Sequence, residues 1–429
     1  MKKDMPLEGL RWSRDSGSAL YDTPPNGRSR TGWGEVCDLI AGFAFKAKDF
    51  GEFPTKVVKI GDIKPPFVDY VGQVGVDISR YDTEKLLKYT VRYGDYVLAM
   101  TGATIGKVGK YISEHTSFIN QRVLKFSPKQ DVDADYINYT ICSNIFAKYV
   151  VNYIDSESAQ PNISAQTISK FVLRIPQKEE DQHRIASILS SLDRKIELNN
   201  KINADLEEMA QTIFKNWFVD FEPFKDGKFV DSELGMIPEG WKVISLSEIM
   251  KYNGGSQPPA SEFIDTYQEG YIRFIQIRDY DNDSHITYIP ISKRNKLCDE
   301  LDIMIARYGA ALGRICWGLK GAYNVALAKV TPIKSYYREY LRCYLNTSYF
   351  YQSINNKGAR CAQSGFNQSD INSYMIAFPI DETVVMNFND LCSSIMDKRL
   401  SLKYENSRLS LLRDTLLPRL MSGELEISE

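Results

Sequence analysis

The 429-residue sequence contains no long apolar run and few of the residues that build metal sites. No stretch approaches the roughly eighteen consecutive apolar residues that a membrane-spanning helix needs. The first residues, MKKDMPLEGLRWSRDSGS, contain no apolar segment of the kind found in secretory signals. We therefore expect a cytoplasmic protein without a membrane partner.

Cysteine and histidine are too sparse or too scattered for a metal centre. The 7 cysteines form no Cys-x-x-Cys pair, and only 3 histidines are present. Zinc sites usually draw on closely spaced Cys and His ligands. The sequence therefore predicts free thiols, with no bound metal and no disulfide.

Catalytic motifs are also missing. The string GATIGK at 102–107 has only three residues between its glycines and continues with Val108, so it does not match a phosphate-binding loop. Lys64 precedes the Pro-Pro-Phe string where an amino-methyltransferase loop would have Asp or Asn. Because no triad, helicase loop or nuclease carboxylate cluster is recognisable, we expect a chain without catalytic activity of its own.

Glycine and proline are absent between Pro176 and Pro223, and this segment has the apolar repeat of a coiled coil. A helix of about 40 residues is roughly 60 Å long. Its seam, read in alternating steps of four and three residues, comprises Ile185, Leu189, Leu192, Ile196, Asn199, Asn203, Leu206, Ala210, Ile213 and Trp217. The alternative is an ordinary amphipathic helix in a large α/β core.

The second half of the chain repeats the first. DYVLAMTGATIGK at 95–107 matches DIMIARYGAALGR at 302–314 at a constant offset, and we pair Trp33 with Trp241 at the start of each domain. A second helix keeps the same seam and is expected to stop at Pro418 and Gly423. The seam of this second helix comprises Phe388, Cys392, Ile395, Arg399, Leu402, Asn406, Leu409, Arg413 and Leu416.

This repetition predicts an α/β (α+β) protein with an internal pseudo-twofold. Two globular domains with irregular β structure would be separated by two long antiparallel coiled-coil helices, with Asn199, Asn203 and Asn406 fixing the register. The predicted order is a mobile N-terminal arm at 1–31, a domain at 32–176, a long helix at 177–221, a linker at 222–240, a second domain at 241–380 and a second helix at 381–424.

The net charge of −2 and the pI near 6.1 argue, taken alone, against a nucleic-acid partner. The charge is unevenly distributed, however, because residues 177–224 carry about −4, whereas 31–175 carry about +1 and 241–380 about +4. The acidic residues are thus concentrated on the predicted long helix. Either domain could therefore still present a locally basic surface.

Gly102, Gly106, Gly309 and Gly313 of the repeated string predict tight β turns with positive φ. Several polar and cationic residues on predicted loops are suited to contact base edges or phosphates. Arg pairs with guanine, Asn and Gln pair with adenine, and Lys mainly contacts phosphate. For each of them singly, a solvated or locally hydrogen-bonded side chain is the simpler interpretation, and only the set as a whole suggests nucleic-acid binding. The candidates are Lys46, Lys48, Lys107, Asn120, Gln121, Arg122, Gln160 and Asn162 in the first domain, and Arg307, Tyr308, Arg314, Asn324, Gln363 and Gln368 in the second.

The sequence closely resembles the specificity subunits of type I restriction-modification systems. The resemblance is carried by the helical block at 175–224 with its WFVDFEPF ending, by SELGMIPEGW at 232–241, by the strings INQRV and AQPNIS, and by LLRDTLLPRLMSGEL at 411–425. It spans nearly the whole chain from Trp33 to Leu425. The second half departs from the pattern, with AQSGFNQS in place of AQPNIS and DETVVMNFND at the helix start. These departures weaken the transfer of individual residues into the second domain.

The resemblance implies a DNA-binding, non-catalytic subunit of a bacterial defence system. In that family, two target-recognition domains each read one half of a bipartite double-stranded DNA site, and the paired helices set the spacer. Two modification subunits, which use S-adenosylmethionine for adenine methylation, and two ATP- and Mg-dependent restriction subunits would be its partners. No cofactor is expected in this chain itself. The alternatives are a protein-binding coiled-coil scaffold without DNA recognition and, less directly, a stand-alone modification enzyme with a divergent site.

Overall fold

A computed structural model describes residues 11–12, 19–20, 28–154, 161–283, 285–358 and 368–425. Among these residues, every helix is too short or too polar to cross a lipid bilayer. The described chain forms two compact units. One comprises residues up to 195 together with 408–425, and the other comprises residues 196–407. Each unit therefore contains one globular domain and a segment of each long helix.

The first globular domain contains a six-stranded sheet and a four-stranded sheet. Strand Tyr96–Ala99 is buried on both faces of the six-stranded sheet, because one face packs on helices and the other face covers a second core. The six-stranded sheet has the order Cys37–Ala41, Val123–Pro128, Tyr96–Ala99, Val108–Tyr111, Phe67–Val68 and Ile63–Lys64. The four-stranded sheet has the order Val74–Val76, Phe50–Val58, Ser117–Ile119 and Thr90–Val91. The α-helices are Trp33–Val36, Thr83–Leu86, Ala134–Ile141, Asn144–Asn152 and Ala165–Ser169.

The second globular domain repeats this topology. One sheet has the order Met250–Gly254, Leu327–Pro332, Ile303–Ala306 and Ile315–Cys316. The other has the order Thr287–Pro290, Tyr271–Ile275, Gly321–Tyr323 and Leu297–Cys298. Its helices are Arg338–Leu345, Ser348–Gly358 and Gln368–Asn372. One parallel pair recurs in the second sheet of each domain. Phe50–Val58 pairs with Ser117–Ile119 in the first domain, and Tyr271–Ile275 pairs with Gly321–Tyr323 in the second. The predicted mixed α/β repeat is thus confirmed.

The glycine turns of the repeated string have the conformation that the sequence predicts. Gly102 and Gly106 have φ of +72° and +79°, and their counterparts Gly309 and Gly313 have +68° and +83°. A side chain is strained in this region of φ, which glycine adopts freely. The turn that follows each central strand is therefore built the same way in both domains.

Two helices of 40 residues each follow the domains, Glu179–Phe218 and Thr383–Ser422, here called long helix 1 and long helix 2. Every predicted seam residue is buried or half-buried. In the unit that comprises residues 196–407, Asn199 contacts Asn406 and Glu207 contacts Arg399. Because the residue number rises along long helix 1 as it falls along long helix 2, the two helices run antiparallel in this unit, as predicted.

The predicted polar register contacts are partly confirmed. Asn199 Nδ2 donates hydrogen bonds to Glu405 Oε2 (3.0 Å) and Asn406 Oδ1 (2.9 Å), and Asn406 Nδ2 donates to Asn200 Oδ1 (2.8 Å). Asn203 differs, because its side chain makes no hydrogen bond to any described residue, whereas in Asn199 only the Oδ1 is buried without a partner. The register that places 199 opposite 406 places 203 opposite Leu402, and leucine offers no polar group.

The pairing of Trp33 with Trp241 is wrong. The Trp33 amide donates to the Phe171 carbonyl, and the equivalent bond in the second domain runs from the Leu246 amide to Tyr374. Trp33 is therefore the counterpart of Leu246. Trp33 and Leu246 each directly follow a strand, whereas Trp241 begins one. The two tryptophans share only their residue type and a similar distance along the chain from the repeated string.

The equivalent of strand Trp241–Ser245 in the first domain is Arg28–Gly32, which pairs antiparallel with Val172–Pro176. Residues 28–31 therefore belong to the domain, which corrects their assignment to a mobile arm. Before them, Arg11–Trp12 pairs with Ala19–Leu20, and the remaining residues of the predicted arm lie outside those described.

Pro418 does not end long helix 2, contrary to prediction. The helix continues to Ser422, and Gly423, with φ of +81°, follows it. Arg28 explains why the last turn persists, because its guanidinium donates to the Leu420 and Met421 carbonyls at 2.6 and 2.7 Å. These bonds satisfy carbonyl groups that a helix end otherwise leaves unpaired.

The segment predicted as a linker, 222–240, contains a β-hairpin formed by Phe229–Ser232 and Gly235–Pro238. Phe221 and Phe224 at its start pack on the Trp241 ring, with centroid distances of 5.1 and 5.3 Å. The end of long helix 1 is therefore joined to the second globular domain through aromatic contacts.

Candidate nucleic-acid interface

A close backbone crossing at one end of the first domain positions several candidate residues. The Phe43 amide donates to the Ile119 carbonyl (2.9 Å), and the Gln121 amide donates back to Phe43 (3.0 Å). A Cβ on Gly42 would lie 2.2 Å from the Asn120 carbonyl oxygen. Only glycine allows this approach. The crossing fixes the loop Asn120–Arg122 beside the loop that carries Lys46 and Lys48.

The glycine turn joins the same end of the sheet. Met100 N–H donates to the Arg122 carbonyl (2.9 Å), and Ile163 N–H donates to Met100 (2.9 Å). Ala99 N–H donates to Lys107 O at 2.9 Å, so Lys107 and Arg122 lie on either side of the central strand. We call this set of loops, residues 42–48, 100–107, 120–122 and 161–162, recognition edge 1.

Recognition edge 1 brings together seven of the eight candidates of the first domain. The side chains of Lys46, Lys48, Lys107, Gln121 and Arg122 are exposed, and those of Asn120 and Asn162 are half-buried. The salt bridges found in the described part of the chain involve none of its four cationic side chains. Gln160, the eighth candidate, lies outside the described residues.

The second domain has the same crossing. A Cβ on Gly255 would lie 2.0 Å from the Asn324 carbonyl oxygen, and the Ser256 amide donates to Tyr323 (3.2 Å). Arg307 N–H donates to the Ala326 carbonyl at 2.9 Å. The corresponding loops, residues 255–261, 307–314 and 324–326, form recognition edge 2. Asn324 takes the place of Asn120, and Arg314 takes the place of Lys107.

Recognition edge 2 differs from edge 1 in its side chains. The Arg307 guanidinium lies 5.8 Å from the Tyr252 ring and 5.1 Å from the Tyr308 ring, and its Nη1 donates to the Val325 carbonyl (3.2 Å). Such stacking orients a guanidinium. Burial raises the pKa of Tyr252. Tyr252 is absent from the sequence-based candidates because it lies on a strand far from the repeated string.

Arg314 is engaged within the protein. Its Nη2 donates to Asp281 Oδ1 at 2.7 Å, and this bond raises the pKa of Arg314. The exposed Lys107 at the matching position in edge 1 has no such carboxylate. The Asn324 Oδ1 atom is buried without a hydrogen-bond partner. Gln363 lies outside the described residues, and Gln368 begins a helix whose first side chains are not described.

A metal site does not emerge from the described residues, in which no three His, Cys, Asp or Glu side chains are grouped to hold an ion. Edge 1 offers exposed amide, guanidinium and ammonium groups, whereas edge 2 offers exposed amide and phenol groups and two half-buried guanidinium groups. These groups suit hydrogen bonding to bases and phosphates.

The sequence matches the family described as "Type I restriction modification DNA specificity domain" twice, over residues 33–208 and 238–399. The chain belongs to this family. Each match covers one globular domain and the first part of the long helix that follows it, which agrees with the repeat seen in the fold. Family membership makes the chain a DNA-specificity subunit of a type I restriction-modification system, not a catalytic one.

Similar proteins support this assignment. The chain is 28% identical over 356 residues to the type I restriction enzyme MjaIX specificity subunit of Methanocaldococcus jannaschii, covering 78% of each protein. It is 26% identical over 371 residues to the HindI specificity subunit of Haemophilus influenzae, covering 68% of this chain and 77% of that protein. The fold resembles the crystal structure of the S subunit from M. genitalium, with a TM-score of 0.56 at 14% identity over 96% of this chain and 100% of that one.

The family assignment confirms the predicted fold class and the predicted role of this specificity subunit. The individual DNA-contacting residues remain predictions. The structure collects the described candidates at two equivalent edges, and it places Arg314 in an ion pair that the sequence could not reveal.

Proposed function

We propose that each globular domain of this specificity subunit reads one half of a bipartite double-stranded DNA site, edge 1 one half and edge 2 the other. The observation that carries the proposal is the repeated backbone crossing, Gly42 on Asn120 and Gly255 on Asn324. The same backbone crossing occurs in both domains but carries different side chains. Two such domains are suited to recognise two different DNA sequences.

The long helices would act as the ruler between the half-sites. Their hydrogen-bonded asparagines fix one register, and a single register gives a single spacing. Two modification subunits that bind S-adenosylmethionine, and two restriction subunits that use ATP and Mg²⁺, would assemble on this chain. This chain would then supply target choice to the complex and leave the chemistry to its partners.

An exchange of one domain tests the proposal. Residues 28–176 are replaced by the equivalent segment of another specificity subunit, and the methylated motif is read by single-molecule sequencing of host DNA. The exchange begins at Arg28 because strand Arg28–Gly32 pairs with Val172–Pro176 and has to move with it. We expect one half-site to change while the other half-site and the spacer stay the same.

The matched control exchanges residues 241–379, bounded by the pair Trp241–Ser245 and Met375–Pro379. It should change the opposite half-site. A change of both half-sites in either exchange would contradict independent readers. If the unaltered complex gave no split methylated motif at all, the chain would be a scaffold without DNA recognition.

A further inference from the structure

The loop Gly42–Asp49 of recognition edge 1 is held unusually firmly for a surface loop. The buried Asp49 carboxylate accepts hydrogen bonds from Tyr81 O–H (2.5 Å) and from Arg80 Nη1 (3.4 Å). The Tyr81 hydroxyl in turn accepts a bond from the Lys46 backbone amide at 3.1 Å. The loop is therefore fixed at its base by a carboxylate and a phenol.

Aromatic packing holds the same loop from beneath. The Phe43 ring contacts Phe45, Tyr81 and Tyr89 at centroid distances of 4.9 to 5.4 Å, and Phe45 is buried among these rings. The apolar side chains thus point inward, and Lys46 and Lys48 are left exposed on the outer side. Neither lysine forms a salt bridge with any residue that the structure describes.

The second domain builds the equivalent loop without cations. The short helical turn Ala47–Asp49 corresponds to Ala260–Glu262, since both follow the glycine crossing at the same distance. Pro259 therefore stands where the first domain has Lys46, and Ser261 stands where it has Lys48. The backbone is retained in both domains, but two positive charges are present in only one.

We propose that Lys46 and Lys48 form a phosphate clamp, which grips the DNA backbone at the first half-site only. The inference rests on the proposed function, because the loop lies beside Asn120–Arg122 at recognition edge 1. Preorganised ammonium groups at a fixed loop suit phosphate contacts, which position a protein on DNA without reading sequence. The second domain has to hold its half-site through other groups, among them the stacked Arg307.

Salt dependence of binding tests the clamp. The complex of this chain with its modification subunits is titrated with a duplex carrying its methylated motif, from about 50 to 200 mM salt. The slope of log K against log [salt] is negative, and each lost phosphate contact reduces its magnitude by about 0.9. The double variant Lys46→Gln, Lys48→Gln should therefore reduce the magnitude of the slope by about 1.8, and the methylated motif should stay unchanged.

Two variants serve as controls. Lys129→Gln removes one positive charge at the opposite end of strand Val123–Pro128, where Lys129 Nζ donates to the Gly34 carbonyl. This variant should leave the slope unchanged. Ser261→Lys adds a cation to the second domain and should increase the magnitude of the negative slope by about 0.9.

An unchanged slope in the Lys46/Lys48 double variant would overturn the clamp while the split motif persists. An altered motif in that variant would mean that the lysines read bases, and it too would overturn the clamp. If the unaltered complex did not bind DNA in a sequence-specific way, the proposed function itself would be contradicted. The two failures are therefore distinguishable.

Discussion

Asn199 Nδ2 lies 2.9 Å from Asn406 Oδ1 across the two long helices, and Asn199 is fully buried. Replacing it by alanine removes both of its donated bonds and leaves the Asn406 oxygen without that donor. Orphaned buried polar groups cost about 1–3 kcal/mol. We predict that Asn199→Ala lowers the free energy of unfolding by this amount, measured by denaturant unfolding followed by circular dichroism. Asn203→Ala is the control, since the Asn203 side chain makes no hydrogen bond to any described residue, and an equal loss in both variants would contradict this account.

Lengthening both long helices should lengthen the spacer between the half-sites. Seven residues are inserted after Ile196 in long helix 1 and after Leu409 in long helix 2, between the Asp193–Arg413 ion pair and the Asn199–Asn406 bond. One heptad preserves the seam and adds about 10 Å. At 3.4 Å per base pair, we expect about three additional unread base pairs in the methylated motif.

The same insertion in only one helix is the control for the ruler. It breaks the opposed register, so we expect loss of assembly or of methylation rather than a new spacer. Methylation of the original motif with an unchanged spacer after the paired insertion would refute the ruler.

Local patterns could be predicted from the sequence, but contacts between distant residues could not. The heptad seam and the positive φ of Gly102 and Gly309 follow from periodicity and from the chemistry of single residues. The ion pair of Arg314 with Asp281 joins residues on different elements, and no pattern in either segment indicates it. For the same reason, the helical continuation past Pro418 could not be foreseen, because it depends on Arg28, 390 positions earlier in the chain.

A charged contact at the start of long helix 2 should make stability depend on pH. Lys334 Nζ donates to both Glu382 carboxylate oxygens at 2.9 and 2.6 Å, and the Tyr336 hydroxyl donates to the same carboxylate. The lysine contact, followed by the tyrosine contact, lowers the pKa of Glu382. A lowered carboxyl pKa stabilises the fold above the unfolded value of about 4.3, and the contribution is lost as pH falls through the folded value.

We therefore predict that Lys334→Met lowers the thermal unfolding midpoint at pH 7, and that the difference from the unaltered protein shrinks below about pH 4. The partners are partly exposed, so the shift should be small. Lys242→Met, at an exposed lysine on strand Trp241–Ser245, is the control and should show no such pH dependence. A difference that stayed constant from pH 7 to pH 3 would exclude Glu382 as the titrating group.

We propose that the modification subunits dock on the exposed acidic face of long helix 1. Glu207 and Glu208 are adjacent there, but only Glu208 is suitable as a probe. Glu207 forms an ion pair with the buried Arg399, whose guanidinium lies 4.6 Å above the Trp317 ring. Reversing the charge of Glu207 would therefore disturb the packing of this chain, whereas Glu208 is exposed.

We predict that Glu208→Lys weakens assembly with the modification subunits severalfold, and more strongly at low salt, because charges at an interface rim act mainly through screened attraction. Analytical ultracentrifugation of the mixed subunits measures this effect. Glu233→Lys, at an exposed site near the turn of the hairpin Phe229–Pro238, makes the same charge change outside the helix and should leave assembly intact. If both variants assembled as well as the unaltered chain, this face of long helix 1 would not be the docking surface.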